Sequence, residues 1–224
     1  AILTDAVHTG ARIREVRAER VREQLEKGRV VIVAGFQGVS PEREVTTLGR
    51  GGSDTTAVAL AVALGAEECH IYTDVDGVYT ADPRQVPDAR RIGFLDYDEM
   101  LELAVSGARV MHPRAVEIAA RHDIPIRVLS SFRDDRDGGT RIARKERGMI
   151  EELALTGLAA ESGYARLILC GLPTGMQAMT TVLSRLAASG ISVDMVSPAD
   201  RPDGRRQLQL SIREDVLDEA CTEC

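Results

Sequence analysis

The segment T-T-L-G-R-G-G-S-D-T-T, at residues 46–56, has a composition that suits an anionic ligand. Its glycines let the backbone approach a bound group closely, and they are Gly49, Gly51 and Gly52. Arg50 adds a planar guanidinium that can hold a carboxylate or a phosphate through two hydrogen bonds. A Gly-rich turn needs the same glycines, so these residues alone leave a purely structural role open.

The two residues after these glycines are predicted to begin a helix. Ser53 or Asp54 suits the N-cap of a helix through residues 57–64, with Gly65 after it. The free N–H groups and the positive dipole end of such a helix favour anions. Asp54 is an acid in that environment, where it can organise a lysine or a metal ion during phosphoryl transfer. The segment matches neither the Gly-Lys-Ser/Thr nucleotide loop nor the dinucleotide fingerprint, and an ordinary helix cap remains the alternative.

A second segment, Y-T-D-V-D-G-V-Y-T-A-D-P-R at residues 72–84, follows a short apolar run directly. In open parallel sheets, ligands bind beyond the carboxyl ends of the strands, and Thr73 and Asp74 lie at such an end. Tyr79 offers a flat face and Arg84 a cation, so together these side chains can hold a base and its phosphates. A β-hairpin with capping acids and a solvated arginine fits the same residues.

A third segment, S-G-A-R-V-M-H-P at residues 106–113, lies between two predicted helices. Arg109 can reach a phosphate from there, although a helix–helix turn with an exposed cation is the simpler interpretation. His112, beside a proline, is interpreted as a structural histidine rather than an acid or base. No histidine has a metal-ligand spacing with Asp, Glu or Cys, so no metal site is predicted.

The elements around these segments alternate between strands and helices. Strands are predicted at residues 12–16, 30–36, 69–73 and 126–129, and helices at 18–27, 57–64, 98–106 and 113–121. The run V-V-I-V-A-G-F at 30–36 is continuously apolar, which is typical of a strand buried on both faces, and residues 37–52 are predicted to form a loop. The alternation indicates an α/β fold with a parallel sheet.

The pattern changes after a charged, glycine-containing stretch at residues 133–148, which is interpreted as a linker. Strands are predicted at residues 153–159, 164–169, 191–196 and 207–212, and helices at 177–189 and from 215 onward. The order β-α-β-β-α, with the closing strand missing, is most of a ferredoxin-like unit.

Composition excludes several classes of protein. The 224 residues include 44% hydrophobic and 28% charged side chains, which are ordinary globular values. A formal charge of −7 argues against a nucleic-acid or anionic-membrane binder. Apolar runs of about 20 residues, as a membrane span needs, are missing from the sequence. The four cysteines are too few and too scattered for a disulfide scaffold, so we expect a cytoplasmic protein.

The three segments together resemble the motifs of aspartate kinases, within the amino-acid kinase family. The matching stretches are G-R-G-G-S-D-T-T-A at 49–57, T-D-V-D-G-V-Y-T-A-D-P-R at 73–84, S-G-A-R-V-M-H-P at 106–113 and V-A-G-F-Q-G at 33–38. The second part, with I-S-V-D-M-V at 191–196, resembles an ACT regulatory domain. The resemblance implies a partial amino-acid-kinase (carbamate-kinase-like) parallel-sheet sandwich at residues 1–132, a linker at 133–150 and an incomplete ferredoxin-like ACT domain at 151–224.

The resemblance also implies an activity, namely phosphorylation of the β-carboxylate of L-aspartate by Mg-ATP. The product, 4-phospho-L-aspartate, opens lysine, threonine and methionine biosynthesis, and the Mg2+ is held mainly through the nucleotide. Arg50 would hold the substrate α-carboxylate, backbone groups of Gly51, Gly52 and Ser53 would complete that site, and Asp54 would be catalytic. The nucleotide would be bound by Thr73, Asp74, Tyr79, Arg84 and Arg109.

The sequence departs from the family pattern in three places. The opening Lys-Phe/Tyr-Gly-Gly loop with its catalytic lysine is missing, so we expect a fragment with little or no activity alone. Arg109 stands where the family usually has a lysine. The turn L-P-T-G-M-Q at 172–177 lacks the usual acid, although Leu172, Thr174 and Gly175 occupy the effector positions for lysine or threonine. Pairing of ACT domains implies a homo-oligomer.

Two other functions remain open from the sequence alone. A non-catalytic, amino-acid-sensing regulatory subunit would also lack the opening loop, although it would have no use for the first two motifs. Another amino-acid kinase, such as glutamate 5-kinase, is the second alternative, and the ACT-like second part argues against it.

Overall fold

The computed structural model describes residues 1–108, 110–133, 138–145 and 155–224. The chain divides into two compact units, Ala1–Ala160 and Glu161–Cys224. No helix in these described ranges combines the length and the apolar character needed to cross a membrane.

The first unit contains two mixed sheets and four helices among its described residues. Its strands are β1 (Ile2–Thr4), β2 (Ile13–Val16), β3 (Gln37–Val39), β4 (Val45–Thr47), β5 (Cys69–Thr73), β6 (Phe94–Leu95), β7 (Ile126–Ser130) and β8 (Thr140–Ile142). Its helices are α1 (Glu19–Glu26), α2 (Gly52–Leu64), α3 (Tyr97–Val105) and α4 (Pro113–His122).

The strand order is β2-β1-β3-β4 in one sheet and β5-β7-β8-β6 in the other. The pairs β1–β3, β5–β7 and β6–β8 are parallel, and the remaining pairs are antiparallel. The α/β class is therefore confirmed, while the sheets are mixed rather than purely parallel as the sequence predicted.

The core of this unit lies where α2, α3 and α4 meet the β5–β7 sheet. Fully buried side chains come from every layer, among them Val58 of α2, Met100 of α3, Val116 of α4 and Val128 of β7. These apolar positions were the basis of the predicted helices and strands, and burial of such side chains is the main force that holds the layers together.

The predicted strand at residues 30–36 is wrong. Val30 is 93% and Ile32 96% exposed, and the run has no regular secondary structure and pairs with no strand of the described part of the chain. A strand needs a hydrogen-bonded neighbour as well as an apolar sequence, and here that neighbour is lacking. The predicted loop at 37–52 instead contains the antiparallel pair β3–β4.

The N-cap of α2 lies two to three residues before the predicted one. The N-cap is Gly51, with φ of +67°, rather than Ser53 or Asp54, and Gly65 ends the helix as expected. A positive φ at the cap favours glycine, because other side chains are strained there.

Part of the predicted linker at 133–150 belongs to the sheet. Thr140–Ile142 forms β8, which pairs antiparallel with β7 and parallel with β6. The charged composition concealed this short strand, whose inward residues Thr140 and Ile142 are fully buried. Residues 134–137 and 146–150 lie outside the described residues.

The second unit is a three-stranded antiparallel sheet with helices in the order β-α-β-β-α. Its elements are β9 (Tyr164–Pro173), α5 (Met176–Ala188), β10 (Val193–Asp200), β11 (Arg205–Arg213) and α6 (Leu217–Glu223), with strand order β10-β11-β9. Leu186 of α5 and Leu208, Leu210 and Ile212 of β11 are fully buried in its core. The element order matches the prediction, except that residues 155–159 form no strand and residues 153–154 lie outside the described residues.

Candidate functional site

The Gly-rich turn, which we define as residues 48–54, joins β4 to α2. Gly49 and Gly51 have φ of +80° and +67°, and the Gly52 N–H donates to the Gly49 carbonyl at 3.0 Å. A Cβ on Gly49 would lie 3.2 Å from the Gly10 Cα, and one on Gly51 would collide with the His112 side chain. Both the backbone conformation and the lack of space therefore require glycine at Gly51.

The exposed part of the turn has the features of an anion site. Arg50 and Ser53 are exposed, while Asp54 is partly buried. The turn leads into α2, and the first N–H groups of an α-helix have no partner within the helix. Arg50, in the turn that precedes this helix, supplies a guanidinium, which can donate to a carboxylate or a phosphate as those N–H groups can.

Asp54 is an acid whose surroundings oppose its charge. Burial raises the pKa of its carboxyl above the ordinary value, and hydrogen bonding from the His112 main chain and the Ser53 hydroxyl offsets part of the effect. A partly buried carboxylate in the first turn of a helix suits the orientation of a cationic partner better than the binding of further anions.

Residues 73–84, which we call the nucleotide segment after the site that the sequence predicts there, begin where β5 ends. The Thr73 hydroxyl donates to Asp74 Oδ1 at 3.1 Å, and the Thr73 carbonyl accepts the Ser131 N–H at 2.8 Å. Asp74 is exposed. Thr73 and Asp74 therefore lie at the carboxyl end of a strand, as the sequence predicted, and the end of the parallel strand β7 lies beside them.

Tyr79 belongs to an ionic network that the sequence did not predict. Its hydroxyl donates to Asp76 Oδ1 at 2.8 Å, which raises the Tyr79 pKa. Asp76 also pairs with Arg133 at 2.6 Å and with Arg91 at 3.9 Å. Two cations from distant positions thus gather beside the nucleotide segment, and no sequence spacing marks them.

Arg84 is held by its neighbour Asp82. The side chain of Arg84 is 88% exposed, and its Nε and Nη2 donate to the two Asp82 oxygens at 3.1 and 3.0 Å. A ligand phosphate would therefore have to share or replace the Asp82 partner. Within the described residues, no hydrogen bond or ion pair joins this segment to the Gly-rich turn.

Thr140 holds the nucleotide segment through hydrogen bonds of its side chain. The sequence analysis did not single out this residue. Its buried hydroxyl accepts the Val78 N–H at 2.8 Å and donates to the Ile92 carbonyl at 2.6 Å. A Cβ on Gly77 would lie only 2.7 Å from the same hydroxyl, so glycine is needed there too. The only signal in the sequence is the Gly-Gly pair just before Thr140.

The remaining predicted site residues have different environments. Arg109 lies outside the described residues. Leu172 packs against the buried cluster of the second unit, whereas Thr174 and Gly175 are exposed at the start of α5, where Gly175 is the N-cap. No described group of three His, Cys, Asp or Glu side chains is arranged to hold a metal ion.

Comparison with known proteins gives one consistent picture. The model of the amino acid kinase family matches residues 1–130. An aspartokinase of Thermus thermophilus is 47% identical over 222 residues, which is 98% of this chain and 54% of that protein. The chain therefore spans about half the length of the curated relatives that it matches.

Two solved structures of Escherichia coli aspartokinase III are also similar. The complex with aspartate and ADP, in the R-state, has a TM-score of 0.77 at 35% identity and covers 95% of this chain and 47% of that one. The complex with lysine and aspartate, in the T-state, has a TM-score of 0.70 at 32% identity and covers 99% and 51%.

Proposed function

This chain belongs to the amino acid kinase family. We propose that its Gly-rich turn and its nucleotide segment form the substrate site and the nucleotide site of an aspartate kinase. The observation that carries the proposal is the Gly-rich turn, where exposed Arg50 and Ser53 stand beside Asp54 at the start of α2. The 47% identity between this chain and an aspartokinase supports the same proposal. The reaction would be phosphoryl transfer from ATP to the β-carboxylate of L-aspartate.

The Gly-rich turn would bind the amino-acid substrate. Arg50 suits the α-carboxylate, because its guanidinium can donate two parallel hydrogen bonds to two carboxylate oxygens. Backbone groups of Gly51, Gly52 and Ser53 would complete this site. Asp54 would orient the catalytic lysine of the whole enzyme and the transferring phosphoryl group, a positioning role typical of kinases.

The nucleotide segment would bind ATP. Thr73 and Asp74 lie at the end of β5, Tyr79 lines the segment, and Arg84, like Arg109, would contact phosphates. The bound Mg2+ would neutralise phosphate charge and would be held mainly by the nucleotide. Asp74, which is exposed, is the acid best placed to approach it.

The chain alone should have little or no kinase activity. The sequence contains no Lys-Phe/Tyr-Gly-Gly motif, and phosphoryl transfer depends on positioned cations more than on covalent chemistry. In the whole enzyme the product would be 4-phospho-L-aspartate, which opens lysine, threonine and methionine biosynthesis. Inhibition by lysine or threonine at Thr174 and Gly175, homo-oligomers formed through the second unit and a cytoplasmic location belong to the same proposal.

Calorimetric titration of the purified chain with Mg-ADP tests the nucleotide half of this proposal. We expect one saturable site, weakened by Asp74→Ala and by Arg84→Ala. Arg121→Ala, which removes an exposed cation from α4, is the matched control and should leave binding unchanged. A chain that circular dichroism shows to be folded and that binds no Mg-ADP would contradict the proposal.

A further inference from the structure

The Gly-rich turn is held from behind by the start of α4. The side chain of His112 lies directly against Gly51, and its Nδ1 accepts the Arg114 N–H at 3.3 Å. The same histidine is the N-cap residue of α4. The segment at residues 106–113 therefore ends in contact with the Gly-rich turn. Its composition did not predict this contact.

Arg114 joins this helix to two separate stretches of chain. Its Nη1 donates to the Leu48 carbonyl and its Nη2 to the Ala11 carbonyl, both at 2.8 Å. Leu48 and Ala11 are 1% and 0% exposed. Buried carbonyls need a donor, and the planar guanidinium serves both at once.

The peptide groups that Arg114 reaches lead directly into the turn. The Leu48 N–H donates to the Phe36 carbonyl at 2.8 Å, so this residue is fixed at both its amide and its carbonyl. Ala11 is tied to the end of β4 through its N–H, which donates to the Thr47 carbonyl at 2.9 Å. Gly10, next to it, packs on Gly49. Without the guanidinium, the stretches that contain Ala11 and Leu48 would lose the hydrogen-bond donor that they share.

We propose that Arg114 is a positioning residue: its guanidinium fixes the Gly-rich turn so that Arg50 and the N–H groups of α2 face the amino-acid substrate. The structural part of this inference stands on contacts alone, whereas its consequence for substrate rests on the proposed function. Among the described residues, no hydrogen bond or ion pair joins Arg114 to the nucleotide segment or to its ionic network, so we expect its effect to be specific to the substrate side.

Hydrogen exchange of the purified chain tests the structural part. The reporters are the Leu48, Gly52 and Thr55 amides, which hydrogen-bond within or beside the turn. In Arg114→Met we expect these amides to exchange about tenfold faster, because two charge-assisted hydrogen bonds are lost. The Val128 amide in β7 should keep its rate, and Arg121→Met should change none of them. Equal rates at the turn in Arg114→Met and the wild type would overturn the proposal.

Ligand binding separates positioning from general destabilisation. Calorimetry should show L-aspartate binding weakened about tenfold in Arg114→Met, with Mg-ADP binding within about twofold of the wild type. Arg114→Lys should share the loss, because an ammonium cannot reproduce the planar fork. Added guanidinium chloride, below concentrations that unfold the chain, should restore aspartate binding to Arg114→Met, whereas sodium chloride should not.

The outcomes distinguish the two proposals. If the wild-type chain binds no L-aspartate but the turn amides of Arg114→Met exchange faster, the substrate assignment fails and the positioning role stands. If Arg114→Met loses aspartate and Mg-ADP equally, or if Arg114→Lys behaves as the wild type, the specific role of the guanidinium is refuted.

Discussion

Asp54 is a partly buried acid whose negative charge lowers the stability of the fold. Burial raises its pKa above the ordinary value of 3.8, so the folded chain favours the neutral carboxyl more than the unfolded chain does. The stability contributed by the neutral form is fully present below pH 3.8 and is lost as the pH rises through the folded pKa. At neutral pH the ionised Asp54 therefore destabilises the fold.

Asp54→Asn should raise the thermal unfolding midpoint at neutral pH, because the amide keeps hydrogen-bonding capacity without the charge. The gain should shrink as the pH falls through the folded pKa and should vanish below pH 3.8, where the carboxyl is neutral in both the folded and the unfolded chain. Thermal denaturation across this range measures it, with the exposed Asp88→Asn as control. An Asp54→Asn variant less stable than the wild type at neutral pH would refute this account.

The sequence revealed the residues of the turn but not those that hold it. Arg50, Ser53 and Asp54 lie within five residues of one another, so their types and spacing are informative. Arg114, in contrast, reaches carbonyls 66 and 103 positions away. Contacts of that range depend on how helices and sheets pack, and a single sequence contains no periodic signal for them.

The strands β5, β7 and β8 are joined by one carboxylate, Glu68. It lies 3.1 Å from Arg127, 3.3 Å from Arg141 and 2.8 Å from His70. Burial alone would raise the Glu68 pKa, but the hydrogen bonds from Arg127, His70 and Arg141 outweigh it and lower the pKa below 4.5. This cluster lies at the start of β5 and joins the strands of the sheet. Thr73 lies at the other end of β5.

Glu68→Gln should lower the free energy of unfolding by about 1–2 kcal/mol at pH 7, a value reduced by partial solvent screening. Because the folded pKa is depressed, the contribution of Glu68 is present above pH 4.5 and is lost as the pH falls through the folded pKa. Urea denaturation at pH 7 and at a pH well below 4.5 measures the effect. The exposed Glu102→Gln is the control. A loss that stayed constant down to strongly acidic pH would show that charge is not the cause.

Hydrophobic runs predicted elements wherever a neighbouring element covers them. β5 and β7 are short apolar strands that pair in parallel, and α2 and α4 pack against them, so pattern and structure agree. The run at 30–36 has the same composition but no paired strand in the described part of the chain. β8 is the converse, since it is paired in the sheet but carries a charged sequence that hides it.

The exposed apolar run at residues 30–36 bears on how this chain behaves in solution. An uncharged, β-branched segment that is not paired in a sheet can pair with another chain. Val30 and Ile32 are almost fully exposed, so we expect concentration-dependent self-association.

Ile32→Lys should weaken that self-association about tenfold, because it replaces an apolar contact by a charge. Sedimentation velocity over a range of concentrations measures it. Val105→Thr, at a 64% exposed position of α3, is the control and should have little effect. Identical profiles for Ile32→Lys and the wild type would place the association elsewhere, for example at the second unit.

The measurement that tests the central claim most directly is a nuclear magnetic resonance titration of the 15N-labelled chain with L-aspartate and then with Mg-ADP. The account predicts that L-aspartate shifts the amides of Gly51, Gly52 and Ser53, and that Mg-ADP shifts those of Thr73, Asp74 and Tyr79. If both sets of amides in a folded chain stay unmoved by either ligand, the assignment of these segments to an aspartate kinase site is contradicted.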